Sequence, residues 1–460
     1  MHFIVENKII VNEPTDEIKK WCRDNLVLDN PEFHQKERMG VWTGNTPRTI
    51  SLYEIVGDEW RLPFGCLDTL WRKYGKEYPF IRNIDQFKPL DYKSGINLYP
   101  YQEKAVKMAY ACKNGIILAP CGSGKTQMGI ELIARLKGRT LWLTHTKDLL
   151  KQSMDRAKAV LGADAKTYGT ITDGKINIGS GITFATVQTM AKIDLKDLKN
   201  AFDVVIVDEV QHCAGSPTKV TQFYKVVSAL SCRYKYGLTA TLHRADGLER
   251  SITALLGDVC AEVTREEVAH TTSPVVVKPI LTGWMPNYDV VLAGDGTIEY
   301  SSLVNDMIHN QSRFNAVMDV VNSLDGSAIV LANRIEYLQE FQKAYKGKSV
   351  CLSGMGNSKA SKNIRENALV GLKDGTIDCI FATYQLCAEG LDVPSLKYVV
   401  FATPEKDVTK VTQSAGRVGR KADGKEFGTV IDFVDEFGML KGWWNKRKNI
   451  YTKLKYNIDI

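Results

Sequence analysis

"GIILAPCGSGKT", residues 115–126, joins a short apolar run to a glycine-rich turn that ends in Lys125 and Thr126. The run reads as a strand. The residues after it, "GKTQMGIELIARLKG" (124–138), read as a helix whose Met128, Leu132, Ile133 and Leu136 make one apolar stripe. Strand, loop and helix in that order are the context a phosphate loop requires. Gly122 and Gly124 let the backbone curl, so that the loop N–H groups, that of Ser123 included, face inward. The helix N-terminus adds favourable partial charge for an anion. Lys125 is placed to reach the β- and γ-phosphates of a nucleoside triphosphate, and Thr126 to hold Mg²⁺.

Eighty residues on, "FDVVIVDEVQHC" (202–213) is an apolar run that ends in two carboxylates. Burying such a pair is costly unless a cation sits there. Mg²⁺ is the expected partner of Asp208. Glu209 is then the base that orients and deprotonates an attacking water. Gln211 follows, a side chain that both donates and accepts and never ionises. Near the end of the chain, "QSAGRVGR" (413–420) sets Arg417 and Arg420 three apart on one face of a turn or helix. Such arginines can stabilise charge on a transferring phosphoryl group.

Around these motifs the chain alternates. "GIILAP", "TLWLTH", "ITFATV", "FDVVIVDE" and "YKYGLTAT" are short runs, apolar on both faces, separated by amphipathic helical stretches. That is the signature of parallel strands covered by helices on each side. The layout recurs with "SAIVLAN", "KSVCLSG", "DCIFATY", "KYVVFATP" and "GTVIDFV". The expectation is an α/β protein with two doubly wound parallel-sheet domains in tandem, at 96–270 and 271–435. Residues 1–95 read as a small accessory α+β domain. "NYDVVLAGDGTIEYSS" (287–302) reads as a hairpin turning at Asp295-Gly296. Residues 436–460 read as a basic aromatic tail, whose last twenty residues hold six Lys or Arg against one Asp. Trp443 and Trp444 in it fit stacking on bases or packing of a terminal helix.

Composition narrows the classes. A hydrophobic share of 44% and a charged share of 25% are ordinary for soluble globular protein. No apolar run is long enough to span a bilayer. The start, "MHFIVENKIIVNE", lacks a signal-peptide core, so a cytoplasmic location is expected, bacterial or in a phage-infected host. The 10 cysteines stand singly and read as reduced core thiols, and no histidine spacing suggests a zinc site. A net charge of +7 fits an anionic partner.

The ordered set of motifs resembles the superfamily-two helicases and translocases. It comprises "LYPYQEKAV" (98–106), "APCGSGKT", "LTHTKDLLKQ" (143–152), "FATVQTM" (184–190), "VDEVQH", "GLTATLHRADG" (237–247), "ATYQLCAEGLDVP" (382–394) and "QSAGRVGR". "GLTATLHRADG" and "AEGLDVPSL" look most like the branch that holds XPB-type helicases, phage helicases that remodel branched DNA, and restriction motors. "TPRTISLY" and "LPFG" in the N-terminal block look like the phage members.

The resemblance implies RecA-like domains, ATP with Mg²⁺, and a DNA partner, forked or branched; RNA unwinding and an ATP-gated clamp are the competing readings. It implies that Gln102 reads adenine, with Tyr99 standing where the family often has Arg. Gly390 and Asp392 line the nucleotide cleft from the second domain. Gln413 faces the γ-phosphate, and Arg417 and Arg420 form the arginine pair, with Arg420 the finger. Thr239 and Thr241 link hydrolysis to domain movement. Gln211 stands where many relatives have His and links the γ-phosphate side to that motif. Thr144, Thr186 and Gln188 donate to backbone phosphates.

Overall fold

Alternation of buried and exposed side chains organises the first strands. In Lys8–Asn12, Ile9 and Val11 are fully buried while their neighbours face outward. The computed structural model describes residues 1–459 except 86, 163, 218–219, 243, 245, 295, 353–358 and 392. The chain divides into two compact units, Met1–Glu267 and Val268–Ile460.

The first unit holds two large sheets. The N-terminal one has five strands in the order Glu54–Val56, Glu59–Pro63, Lys8–Asn12, Phe3–Val5, Phe80–Arg82. Every pairing is antiparallel except that of Phe3–Val5 with Phe80–Arg82. Helix Asp16–Asn25 lies between strands in sequence; Thr15 caps it by accepting from the Ile18 N–H, and Asp16 and Glu17 occupy its first turn.

The N-terminal block shares one continuous core with the α/β part of the unit, from Phe3 to Leu256. The "LPFG" turn makes the join. A Cβ on Gly65 would stand 2.3 Å from the Thr253 carbonyl oxygen and 2.4 Å from the Gly257 nitrogen. Only glycine allows this backbone to lie against helix Glu249–Leu256. Lys235 fastens the same join. It is fully buried, donates to the Val227 carbonyl at 2.9 Å, and sits 4.7 Å over the Phe64 ring. Burial pushes its pKa down to about 8.

The α/β sheet of this unit has eight strands. Their order is Lys175–Asn177, Tyr168–Thr172, Ile182–Thr186, Thr140–Thr144, Val204–Asp208, Tyr234–Thr239, Gly115–Leu118, Val259–Glu262. All pairings are parallel except that of Lys175–Asn177. The five strands expected from the sequence form its middle. The three additional ones lie at the two margins.

The second unit has a seven-stranded, wholly parallel sheet. Its order is Ser349–Leu352, Cys379–Thr383, Ala328–Ala332, Tyr398–Phe401, Gly428–Val434, Val275–Leu281, Asn457–Ile458. Both faces are covered. Ile329 and Leu331 of one strand enter one core, while Ala328, Val330 and Ala332 enter another. The fold is thus two tandem doubly wound α/β units with an α+β block at the N-terminus.

Three expectations need correction in the second unit. Residues 438–458 are no tail: helix Gly438–Lys453 buries Leu440, Arg447, Ile450 and Tyr451, and Asn457–Ile458 joins the sheet. Arg447 donates to Asp432 at 2.8 and 2.9 Å, with the Tyr451 hydroxyl on the same carboxylate at 2.8 Å. The reading of 287–302 as a hairpin also fails. Helices Tyr288–Val291 and Tyr300–His309 flank a turn that holds one bridge, Leu292 to Ile298. Asp295 lies outside the described residues, and Gly296 has φ +77°. Finally, Val275–Leu281 is a strand that none of the five runs expected in this unit covers. Its Pro279 stands beyond Val276 and Val277, the residues paired with Asn457–Ile458, where the missing N–H breaks no ladder.

Candidate active site

The glycine-rich turn runs from the strand Gly115–Leu118 into helix Lys125–Leu136. Gly122 and Gly124 have φ +84° and +79°, a region that side chains other than glycine rarely adopt. Gln102 braces the turn from below and is 2% exposed. Its Nε2 donates to the Ser123 carbonyl at 2.8 Å, and its Oε1 accepts from the Tyr99 N–H at 3.0 Å. The Tyr101 hydroxyl donates to the same Ser123 carbonyl at 3.2 Å. Gln102, expected as an adenine reader, holds the loop through Nε2 and caps the start of its own helix through Oε1. Ser123 Oγ is buried without a hydrogen-bond partner. Lys125 folds back to the Ala119 carbonyl at 3.4 Å, and Thr126 is the second, half-buried residue of the helix.

Strand Val204–Asp208 brings the carboxylates to the same edge of the sheet. Asp208 is 5% exposed, and its Oδ1 accepts the Glu209 N–H at 3.1 Å. Burial, and then the Glu209 charge, push its carboxyl above the usual range, with Lys125 pulling the other way. Glu209 sits at φ +56°, a left-handed backbone that is uncommon for residues other than glycine.

From Glu209 an unbroken hydrogen-bonded chain leads to the neighbouring strand. Gln211 is 3% exposed and donates through Nε2 to Glu209 Oε2 at 2.8 Å. Strand Tyr234–Thr239 pairs Leu238 with Asp208, which sets Thr239 beside Gln211. The Thr239 hydroxyl lies 2.7 Å from Gln211 Oε1 and 2.7 Å from the Thr241 carbonyl, with one proton to give to either. It also accepts the Thr241 N–H at 3.1 Å.

Two residues here escape sequence reasoning. Arg244 donates to the Gln211 carbonyl and grips Asp246 at 2.8 and 2.6 Å, which fixes the turn carrying Gln211. The Arg-x-Asp spacing in "GLTATLHRADG" was its only signal. The His145 ring lies against that of His212, tilted by 41° with centroids 4.6 Å apart, and both nitrogens of His145 are buried without hydrogen-bond partners. Burial pushes its pKa down, and the Glu209 charge pulls it up.

The expected backbone donors divide. Thr144 and Thr186 end adjacent parallel strands and point inward, 0% and 3% exposed. The Thr144 hydroxyl donates to the Thr146 carbonyl at 3.0 Å, and that of Thr186 to Thr189 Oγ1 at 3.0 Å. Their hydroxyls brace their loops, at the ends of strands buried along their length. Gln188 is exposed, with its Nε2 on the His145 carbonyl at 2.7 Å.

In the second unit, Gln413 lies on helix Val408–Gly416, Arg417 caps that helix, and Arg420 ends the short turn Arg417–Gly419. All three are half-buried. Burial pushes the thiol of Cys387, on helix Tyr384–Gly390, upward, and the Arg417 and Arg420 charges pull it down. Gly390 is the last residue of that helix, and Asp392 lies outside the described residues.

Two family models match the two halves of this geometry. One, described as type III restriction enzyme, res subunit, matches residues 95–244; the other, helicase conserved C-terminal domain, matches 312–422. The chain belongs to the superfamily-two helicases.

Relatives of this helicase share about a quarter of its residues. It is 26% identical over 384 residues to a candidate ATP-dependent RNA helicase of Acanthamoeba polyphaga mimivirus, covering 79% of this chain and 69% of that protein. To the DNA 3'-5' translocase XPB2 of Sulfurisphaera tokodaii it is 26% identical over 393 residues, covering 76% and 86%. Against the ATP-dependent DNA helicase uvsW of Enterobacteria phage T4, identity is 22% over 478 residues, and coverage is 94% and 88%.

Membership carries ATP-dependent nucleic-acid unwinding with it. The residues fit a nucleotide and its metal. Ser123 Oγ is an orphaned buried hydroxyl in the loop, and Asp208 is a buried carboxylate at its mouth. Among the described residues no three His, Cys, Asp or Glu side chains converge as a cage. Magnesium asks for none, since it takes one or two protein oxygens and completes its shell with phosphate and water. No helix among the described residues is long and apolar enough to cross a membrane.

Proposed function

We propose that this helicase is an ATP-driven DNA motor that unwinds or branch-migrates forks and four-way junctions. One observation carries the motor reading: the continuous chain Glu209–Gln211–Thr239–Thr241 beside the phosphate loop. It offers a path by which a change at the γ-phosphate reaches a loop outside the nucleotide site.

In this reading the loop N–H groups and Lys125 hold the triphosphate, while Thr126 and Asp208 hold Mg²⁺. Magnesium, when bound, offsets charge on the phosphate oxygens. Glu209 takes the proton of the water that attacks the γ-phosphorus, as the bond to the departing ADP breaks. Gln211 registers the state of Glu209 through one end of its amide and passes it to Thr239 through the other. Arg420, with Arg417 and Gln413 beside it, supplies positive charge to the transferring group, a contribution of about 10³–10⁵ in rate for such arginines. Gly390 and Asp392 are the remaining residues that the helicase resemblance assigns to nucleotide binding. Gln188 remains the exposed candidate for a contact to the tracked strand.

DNA is favoured because two of the relatives above are named as acting on DNA, and the T4 alignment spans 94% of this chain. The mimivirus relative, named for RNA, supports the second reading, an RNA helicase with the same core. ATP turnover and strand displacement on forked DNA, four-way junctions, linear DNA and RNA duplexes separate the two. The DNA-motor reading expects stimulation by branched DNA above linear DNA, and little by RNA. Stimulation by RNA alone would overturn it.

A further inference from the structure

The second unit carries a pocket that the motor chemistry does not use. It has a volume of about 230 Å³ and is lined by Tyr300, Asn333, Arg334, Glu405, Lys406 and Trp443. Its place in the sheet is distinctive. The chain leaves strand Ala328–Ala332 toward Ser349–Leu352 on one side, and leaves the adjacent strand Tyr398–Phe401 toward Gly428–Val434 on the other. Neighbouring strands whose connections depart in opposite directions open a crevice at their carboxyl ends, the usual binding place in such sheets. Asn333 and Arg334 follow the first strand, and Glu405 and Lys406 follow the second. Asn333 ties the two ends together, its N–H on Thr403 Oγ1 at 3.0 Å and its Nδ2 on the Pro404 carbonyl at 3.0 Å.

The lining specifies a ligand that is both planar and anionic. Tyr300 is 41% exposed, and its ring centroid lies 5.3 Å from that of the half-buried Trp443. Lys406 Nζ lies 4.9 Å over the Trp443 ring. Arg334 Nε is buried without a hydrogen-bond partner. The one acid, Glu405, is already engaged. It accepts the Lys406 and Asp407 N–H groups at 2.8 and 3.0 Å and has Lys410 Nζ at 3.7 Å. Two cations therefore face the pocket against one carboxylate that is neutralised within its own turn. Aromatic rings beside cations are the combination that holds single-stranded nucleic acid, ring on base and cation on phosphate. Below the usual range for drug-sized ligands, the volume suits one ring system. Tyr300 and Trp443 both lie outside residues 312–422, so the aromatic walls are additions to the conserved helicase domain.

We propose that this pocket takes one unstacked base of the nucleic-acid strand on which the motor acts, with the adjoining phosphate on Arg334 and Lys406. The inference rests on the motor reading above.

Binding of a fluorescent single-stranded oligo-dT to the full chain tests it, first for the wild type and then for Tyr300→Ala, Tyr300→Phe and Lys406→Ala. Tyr300→Ala is expected to weaken binding about 5- to 100-fold, the range for loss of one base–aromatic stack. Tyr300→Phe keeps the ring and is expected to bind as the wild type does. Lys406→Ala is expected to lower the slope of log affinity against log salt by about one. Cross-linking with a 4-thiothymine oligonucleotide is expected to mark a peptide containing Tyr300 or Trp443. If the wild type binds no strand at all, the motor reading fails first. If the wild type binds and Tyr300→Ala binds as tightly, with cross-links elsewhere, the pocket proposal alone is overturned. Occupancy by free mononucleotide that an excess of strand does not displace would also overturn it.

Discussion

Asp208 of the first unit and Asp432 and Asp435 of the second are buried carboxylates treated in opposite ways. In the second, Asp432 and Asp435 are 0% and 1% exposed, and each is gripped by a buried arginine through two hydrogen bonds. In the first, Asp208 is 5% exposed, and among the described residues it forms no ion pair. Burial of a charge is tolerable when a partner cancels it and costly when none does. The paired acids hold the fold together; under the proposed function the unpaired one meets the magnesium that arrives with the nucleotide. The same contrast runs through the polar network. Arg313 and Arg447 end in closed pairs, whereas the chain from Glu209 ends at Thr241, on a loop.

The largest expected effect would break this comparison at Asp208. Asp208→Asn keeps the shape and removes the charge. ATP turnover is expected to fall by about 10³-fold, the several kcal/mol that metal-assisted catalysis supplies. Its stability should hold or rise. A carboxyl whose folded pKa is raised keeps its proton better in the fold than in the unfolded chain. It therefore costs stability as pH rises above its unfolded pKa, and Asn escapes that cost. Thermal melts at pH 7 without nucleotide check this; a large loss of stability would make Asp208 a structural residue.

Arg447→Met should do the reverse. It leaves Asp432 buried and alone, so unfolding is expected to become about 3–5 kcal/mol easier, read by denaturant titration. Turnover of molecules still folded at low temperature should survive. A smaller loss follows from Gly65→Ala, about 1–3 kcal/mol from the clash with helix Glu249–Leu256, in the melting of the first unit.

The smallest effect concerns pH. His145 is held neutral by burial, so its folded pKa lies below the unfolded value. The unfolded chain binds a proton that the fold refuses, and stability falls as pH drops through and below about 6.5. His145→Gln should flatten that part of the stability profile. An unchanged slope would remove His145 from the account.

Much of this was legible before any coordinates. All ten quoted runs form strands, nine of them inside their sheets where both faces are covered, and such runs announce themselves. Of the strands that escaped reading, Val275–Leu281 lies inside its sheet, with Lys278 and Pro279 interrupting its apolar run, and two others are marginal. Lys175–Asn177 is wholly exposed, and Asn457–Ile458 is two residues held by backbone pairing. The phosphate loop, Asp208 and Gln211 were legible because their spacing is local. The burial of Thr144 and Thr186 was not legible, since the direction of a strand's last side chain is set by what covers the sheet. His145 and Arg244 act through contacts made only in the folded chain, to His212 and to the turn carrying Gln211. The terminal helix looked like a cationic strip, yet one of its cations, Arg447, is 1% exposed and belongs to the core.

Gln211 is the joint on which the motor reading turns. The direct test measures ATP binding, DNA-stimulated turnover and strand displacement on forked DNA for the wild type and Gln211→Ala. The prediction is unchanged ATP binding, with stimulated turnover and displacement lower by about 10–100-fold, the worth of a hydrogen bond to a charged group. Equal strand displacement by the two proteins would contradict it.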